Sequence, residues 1–214
     1  MLTTKLVLDY AVTHNPLECQ PEIVAHRQSF LHAEAGHPSI AELNNQLFTD
    51  GVLRQRRIDV FNQRENDILF PLSILYWGFP TNMHGIGTHL YDSYEKVRDI
   101  STYIRMNQDI TRATFMRTVV PMLNECYGLG LSFFSKLFYY SGLKIDGARC
   151  TINDKKVRGA IAGTVCLEFT ALRQYNSGTY SSYVHYVQEV EKLANQFGCT
   201  PDCVEYALFV GRAQ

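Results

Sequence analysis

Apolar residues recur along most of this chain at spacings of three and four, which is the period of an α-helix. The pattern therefore predicts a mostly helical protein. The predicted helices span 22–34, 39–49, 58–77, 89–106, 109–126, 131–141, 155–174 and 180–197, and a last helix begins at Pro201. We expect an interruption near Pro71, because proline lacks the backbone N–H that a helix interior needs.

Two segments depart from the helical pattern. Residues 5–12 have the character of a strand, and residues 77–87 are rich in glycine and proline and are predicted to form a loop. Helix starts are marked by side chains that bind free backbone N–H groups. Ser39 is a predicted N-cap, and Thr200 is a predicted cap for the last helix, with Pro201 suited to the first helical position.

Composition indicates a folded globular protein. Hydrophobic residues make up 46% of the chain and charged residues 19%, which is untypical of a disordered sequence. The length fits one domain over residues 1–214, with two helical lobes around a cleft as one way to build it. The net charge of −1 provides no overall positive field. A nucleic-acid partner would therefore have to be bound by a local basic face.

Cysteines and histidines do not form a recognisable metal site. There is no Cys-x-x-Cys pair, and Cys199 with Cys203 supplies only two of the four cysteines that an iron–sulfur cluster requires. His84 and His89 have a poor spacing for two ligands on one helix. We expect no metal and no cofactor, and mostly buried, reduced thiols.

The chain has no feature of a secreted or membrane-bound protein. Its first residues, MLTTKLVLDY, lack the basic region and apolar core of a secretory signal. No apolar run approaches the roughly 20 residues that span a bilayer. We expect a cytoplasmic monomer without a membrane segment.

Residues 119–142 contain the segment on which the functional interpretation depends. An apolar helix runs into Gly128-Leu129-Gly130, and another apolar helix follows at once. Two glycines one residue apart permit a tight turn and leave backbone N–H groups free for a phosphate or a bound cation. Further along, Asp154 precedes a helix. A carboxylate there can stabilise the oxocarbenium-like sugar that forms when the glycosidic bond of a nucleotide breaks.

This combination resembles the helix-hairpin-helix superfamily of DNA glycosylases, whose hairpin reads Gly-Val-Gly and whose catalytic Asp lies in a segment like Pro-Ile-Leu-Asp-Gly-Asn-Val. The chain is most similar to the bacterial branch that has the 8-oxoguanine glycosylase fold without an amino-terminal β domain. The resemblance implies an all-α, two-lobed fold, with the hairpin near 115–142 and the catalytic segment at 150–157. It also implies that Gly128 and Gly130 bind the backbone of double-stranded DNA and that Asp154 is catalytic.

A second match lies on the last helix. The 8-oxoguanine glycosylases carry a Gln four residues before a Phe, and this chain has Glu205 and Phe209, which share a helix face. The resemblance implies that Glu205 reads the flipped base and that Phe209 stacks on it. Because a carboxylate only accepts hydrogen bonds, Glu205 suits an exocyclic amine of cytosine or adenine. The N–H groups of 8-oxoguanine fit as well.

Two counts place different residues where lyase-type relatives have a nucleophilic lysine. Counting forward from the hairpin gives Ser132, which is similar to the adenine-excising branch that needs no lysine. Counting back from Asp154 gives Lys136. Residues 143–149 look like an insertion, which favours the forward count. Because Ser132 and Lys136 share a helix face, Lys136 can line the pocket in either case, as the nucleophile or as a pocket or phosphate contact, with a solvated surface lysine as the alternative.

Other candidates follow from base flipping, which needs a stacking partner and a wedge for the vacated stack. Trp77 and Tyr140 are candidates for these roles, with burial in the core as the alternative. Lys155 and Lys156 are candidates for phosphate contacts, with a solvated helix face as the alternative. The basic run 54–57 is interpreted as surface decoration.

The primary interpretation is a DNA N-glycosylase that flips out and excises a modified base. The resemblance implies a hypermodified phage cytosine, attacked in anti-phage defence, as one such base. The alternatives are an 8-oxoguanine glycosylase with AP lyase activity in base excision repair and a non-catalytic DNA-binding module of a defence system. A binding module has no need of the Asp154 carboxylate, which favours the enzyme.

Overall fold

The computed structural model describes residues 4–13, 16–82, 85–164 and 166–210. Most of these residues lie in helices, which confirms the predicted fold class. The α-helices are α1 (Thr4–Thr13), α2 (Pro16–Cys19), α3 (Leu31–Glu34), α4 (Pro38–Leu47), α5 (Arg57–Asn62), α6 (Phe70–Gly78), α7 (Ile86–Asp92), α8 (Tyr94–Met106), α9 (Arg112–Thr114), α10 (Val120–Asn124), α11 (Leu131–Ser141), α12 (Lys155–Gly163), α13 (Tyr180–Phe197) and α14 (Pro201–Val210). The chain also forms 3-10 helices at Arg27–Phe30 and Glu168–Tyr175 and a π-helical turn at Phe115–Val119.

Short strands make two small sheets. The strands are β1 (Ile23–His26), β2 (Val52–Gln55), β3 (Asp109–Ile110), β4 (Lys144–Ile145) and β5 (Ala148–Arg149). Strands β1 and β2 pair antiparallel, with Ile23 opposite Gln55, while β4 pairs parallel to β3 and antiparallel to β5. Asp146 and Gly147 both have positive φ, as two-residue hairpin turns require. The predicted insertion at 143–149 is therefore an ordered β-hairpin.

The strongest periodic segments are predicted correctly. Helices α11 and α13 have the predicted bounds, 131–141 and 180–197, and α14 begins at Pro201 as expected. The Thr179 hydroxyl accepts a hydrogen bond from the N–H of Ser182 and so caps α13, which ends at Gly198 in the left-handed conformation. These boundaries are set by local side-chain chemistry.

Two predicted segments have the wrong type. The strand predicted at 5–12 is helix α1, which packs on α14. The first part of the helix predicted at 22–34 is strand β1, because its backbone pairs with β2 instead of forming helical bonds. In both cases a contact between distant parts of the chain outweighs the local pattern.

Several helix boundaries are also wrong. Ser39 is not an N-cap, because α4 already begins at Pro38. The stretch 58–77 breaks at 63–69, and Pro71 lies in the first turn of α6, where its missing N–H costs nothing. Trp77 belongs to α6 and not to the following loop.

The remaining long helices are shorter than predicted. The stretch 89–106 is divided between α7 and α8 at Ser93. The stretch 109–126 is divided among β3, α9, the π-helical turn and α10, and helix 155–174 stops at Gly163. His84 lies outside the described residues. Within the described ranges, no helix combines the length and apolar character that crossing a membrane requires.

Helix α11 is the centre of the core. Apart from Ser132, every one of its residues is buried, and the helix packs against α5, α6 and α8. A helix that is apolar on all sides belongs in a protein interior. Lys136 lies in the middle of this helix and is only 2% exposed, so its amine must find its partners inside the protein.

The turn before α11 has the two glycines of the predicted hairpin in different conformations. Gly128 has a φ of +76°, and a Cβ at this position would overlap the His89 ring. Gly130 is extended, with φ −111° and ψ −174°, and a Cβ there would meet no atom within 4 Å. The fold therefore requires glycine at 128 and tolerates a side chain at 130.

We expect Gly128→Ala to destabilise the protein by more than the ~1–2 kcal/mol that a left-handed alanine costs, because His89 must also move. Gly130→Ala is the matched control and should stay within about 0.5 kcal/mol of wild type. Urea unfolding measures both variants. Equal stability of the two would contradict the geometry of the turn.

Candidate active site

A partly buried ion pair joins the two predicted catalytic residues, with Lys136 2% and Asp154 18% exposed. The Nζ atom of Lys136 lies 3.1 Å from Oδ2 of Asp154 and donates a second hydrogen bond, 3.0 Å long, to the carbonyl of Ser132. The ring of Phe79 lies 5.0 Å from the same amine. Lys136 comes from the middle of α11 and Asp154 from the start of α12. The pair therefore connects the helix after the glycine turn with the helix that Asp154 caps.

The two carboxylate oxygens of Asp154 have separate roles. Oδ1 accepts hydrogen bonds from the N–H groups of Lys156 at 2.9 Å and Val157 at 3.1 Å, which caps α12. Oδ2 is left to face the amine of Lys136. Capping thus fixes the carboxylate without using the oxygen that meets the lysine.

The segment before Asp154 is held by side chains from three helices, α11, α12 and α13. The carbonyls of Thr151 and Ile152 accept hydrogen bonds from the hydroxyls of Tyr183 and Tyr186, both on α13. The N–H of Asn153 donates to the Ser135 hydroxyl on α11. Arg158 donates to the carbonyl of Asn153 at 2.8 Å. These bonds satisfy the buried backbone of residues 151–153, which has no strand partner.

Burial and pairing set the protonation of the two groups. Burial lowers the pKa of Lys136 below that of an ordinary lysine, although Asp154 opposes this effect. Burial alone would raise the pKa of Asp154, but the charge of Lys136 and the N–H groups of Val157 and Lys156 bring it below its usual value. The site therefore has an ionised carboxylate beside an amine that loses its proton more easily than a surface lysine.

The geometry also bears on the choice between Ser132 and Lys136. Ser132 is half-buried, and its backbone carbonyl binds the lysine amine. The side chain that reaches Asp154 is that of Lys136. The structure thus brings together Lys136 and Asp154, the two residues that the backward count pairs.

Glu205 lies in a second buried ion pair. Its Oε2 atom is 2.5 Å from Nη2 of Arg57, and the side chains are 4% and 1% exposed. Burial raises the pKa of Glu205, opposed by the charge of Arg57. Burial likewise disfavours the guanidinium charge, but Glu205 more than offsets it and raises the pKa of Arg57. Arg57 also donates to Gln20 at 3.3 Å.

Aromatic rings surround this second pair. The guanidinium carbon of Arg57 lies 4.4 Å from the centre of the Tyr139 ring and 6.0 Å from that of Trp77. Trp77 meets Tyr140 edge to face at 5.4 Å. Tyr140 is fully buried and Trp77 nearly so. Trp77 and Tyr140, the two aromatic residues predicted for the pocket, therefore lie in one buried cluster with Glu205. Burial in the core was the alternative prediction for both.

The remaining predicted contacts lie on the outer side of α12 and α14. Phe209 is half-buried, and the amine of Lys156 lies 5.1 Å from the centre of its ring. Lys155 and Lys156 are exposed and directly follow Asp154. Both amines therefore lie at the surface beside the carboxylate, that of Lys156 over the Phe209 ring.

Arg57 is the functional candidate that the sequence interpretation missed. The run 54–57 is only in part a surface feature, since Arg57 is buried while Arg54 and Arg56 are exposed. The sequence contains a signal for the burial of Arg57, because the apolar residues Val60 and Phe61 follow it by three and four positions. Those apolar residues place Arg57 on the inward face of α5.

Comparison with protein families gives one match. The family described as "Putative 8-oxoguanine DNA glycosylase OGG-like protein" covers residues 57–209. The matched range begins at Arg57, ends at Phe209, and contains both buried ion pairs. No curated protein and no solved structure matches the chain.

We expect Arg57→Met to destabilise the protein by about 3–5 kcal/mol, because it leaves Glu205 buried without a partner. Arg54→Met is the matched control, since its 3.0 Å pair with Glu22 is exposed and should contribute less than about 1 kcal/mol. Urea unfolding gives both values. The double variant Arg57→Met/Glu205→Met should recover part of the loss. A cost for Arg57→Met no greater than for Arg54→Met would contradict the buried pair.

Proposed function

The chain belongs to the OGG-like family, which is described as putative 8-oxoguanine DNA glycosylase, and we propose that it is an active DNA N-glycosylase. In this proposal the protein flips one modified base out of duplex DNA and cuts the bond between that base and its sugar. The observation that carries the proposal is the buried contact of 3.1 Å between the Lys136 amine and the Asp154 carboxylate.

The pair supplies the two groups that a glycosylase with lyase activity needs. Only a neutral amine is a nucleophile, and burial favours the neutral form of Lys136. Asp154 provides a negative charge for the sugar, which becomes positive as the glycosidic bond breaks. A surface lysine beside a solvated aspartate would supply neither effect as strongly.

The reaction follows from these positions. The amine attacks C1′ of the flipped nucleotide while the bond from C1′ to the base breaks. The base leaves with the electron pair of that bond and takes up a proton. The attached nitrogen then gives up one proton to solvent, and its lone pair opens the sugar ring as O4′ takes up a proton, which leaves a protonated Schiff base between Lys136 and C1′. Removal of a proton from C2′ would then form a double bond between C2′ and C3′ and expel the 3′ phosphate, which breaks the strand.

DNA contacts are proposed around this centre. Lys155 and Lys156 would bind phosphates next to the scissile nucleotide, because both are exposed and follow Asp154 directly. The exposed turn at Gly128 and Gly130 would approach the backbone with its N–H groups. Together they would form the local basic face that a chain with a net charge of −1 requires.

We propose 8-oxoguanine as the base. The family that matches residues 57–209 is described by this base. The edges of 8-oxoguanine carry N–H donors that the Glu205 carboxylate would accept, and because Glu205 is 4% exposed and bound to Arg57, that pair would have to open as the base enters. A hypermodified phage cytosine, excised in anti-phage defence, is the second candidate. It is favoured by the carboxylate at position 205, which accepts from an exocyclic amine, where the relatives carry an amide.

The test compares three substrates: an unmodified duplex, an 8-oxoguanine duplex, and phage DNA containing glucosylated hydroxymethylcytosine. Mass spectrometry detects the free base, and denaturing gels detect strand breaks. We expect release of 8-oxoguanine by the wild type and a loss of at least about 100-fold in Asp154→Asn. Lys136→Gln should abolish strand cleavage.

The Asp154→Asn variant keeps the cap of α12, because Asn is as good an N-cap as Asp, but it leaves the Lys136 amine without its charged partner. Its Tm and its Kd for DNA are therefore measured beside those of the wild type, so that base release is compared only between folded, DNA-bound proteins. Release from phage DNA alone would select the second candidate base. Tight DNA binding with no release from any substrate would contradict the enzyme and favour a binding module.

A further inference from the structure

Gly78, the last residue of α6, leaves room for the stem of Lys136. A Cβ built on Gly78 would lie 2.8 Å from Cδ and 2.9 Å from Cε of Lys136. Carbon atoms that are not bonded do not approach so closely. The aliphatic part of the lysine therefore occupies the space that any side chain at position 78 would need.

The backbone does not explain this glycine. Gly78 is not among the glycines with positive φ and is the last residue of a regular helix, so its backbone conformation is open to alanine. The requirement for glycine at this position comes from the lysine that packs against it.

Lys136 has no easy way to move aside. Its side chain is 2% exposed, and its amine is bound to Asp154 and to the carbonyl of Ser132. The Phe79 ring, next along the chain from Gly78, lies 5.0 Å from the amine. A side chain at position 78 would therefore displace the amine from Asp154 instead of being absorbed at the surface.

We propose that Gly78 is a positioning residue, which sets the path of the Lys136 side chain so that its amine meets Asp154. The inference rests on the proposed function, because it assigns a cause to the geometry of that site. Gly78 itself touches neither the base nor the sugar in this account. Its effect on the reaction passes entirely through Lys136.

The kinetic test uses Gly78→Ala with Gly163→Ala as the matched control. Gly163 is also the last residue of its helix, α12, has no positive φ, and would meet no atom within 4 Å on gaining a Cβ. At saturating 8-oxoguanine duplex, we expect Gly78→Ala to release base about 100-fold more slowly, as for a misplaced nucleophile, with an unchanged Kd for DNA. Gly163→Ala should behave as the wild type. An unchanged rate in Gly78→Ala would overturn the inference.

A double-mutant cycle measured by thermal unfolding distinguishes the positioning of Lys136 from general damage to α6. It does not require the protein to have catalytic activity. We expect Gly78→Ala to lower Tm in the wild type but to leave it unchanged or raise it in a Lys136→Ala background, where the stem is absent. The same Tm decrease, or the same failure to fold, in both backgrounds would overturn the inference. If the wild type released no base, the proposed function would fail, while the cycle would still decide whether Gly78 and Lys136 are coupled.

Discussion

The structure depends on the burial of one amine against one carboxylate. An ammonium group placed inside a protein loses its hydration, and only a close partner with well-placed hydrogen bonds repays that loss. For Lys136 the partners are Asp154 and the carbonyl of Ser132. The capping of α12 by Asp154, the tyrosine bonds to residues 151–152 and the glycine at the end of α6 all serve to keep this contact in place.

The second buried pair has a different character. Arg57 and Glu205 come from opposite ends of the family match and join α5 to α14 within a shell of aromatic rings. Arginine keeps its proton even when buried, so this pair stays charged, whereas burial lowers the pKa of Lys136. In the proposed enzyme Lys136 and Asp154 would break the bond, while Arg57 and Glu205 bond each other in the core and hold α5 against α14.

Part of the fold and of the site could be predicted from sequence, because it depends on residues that are close together in the chain. The apolar period gave α11 and α13 with their observed bounds, and the glycine turn followed by Asp154 indicated the family. Contacts between distant residues were not predictable. Strand β1 depends on β2, and the burial of Arg57 depends on Glu205, 148 residues away. The count that selects Ser132 or Lys136 depends on whether residues 143–149 are an insertion. These residues form a β-hairpin, which helical periodicity does not predict.

In the proposed reaction the Lys136 amine attacks the sugar, and chemical trapping of the resulting Schiff base is the most direct test. Borohydride reduces a Schiff base between lysine and C1′ to a stable secondary amine, which links the protein to the DNA. Incubation with an 8-oxoguanine duplex and borohydride, followed by proteolysis and mass spectrometry, identifies the linked residue. We expect a single adduct, on Lys136, that is absent from Lys136→Gln. An adduct on another residue, or base release without any adduct, would contradict it.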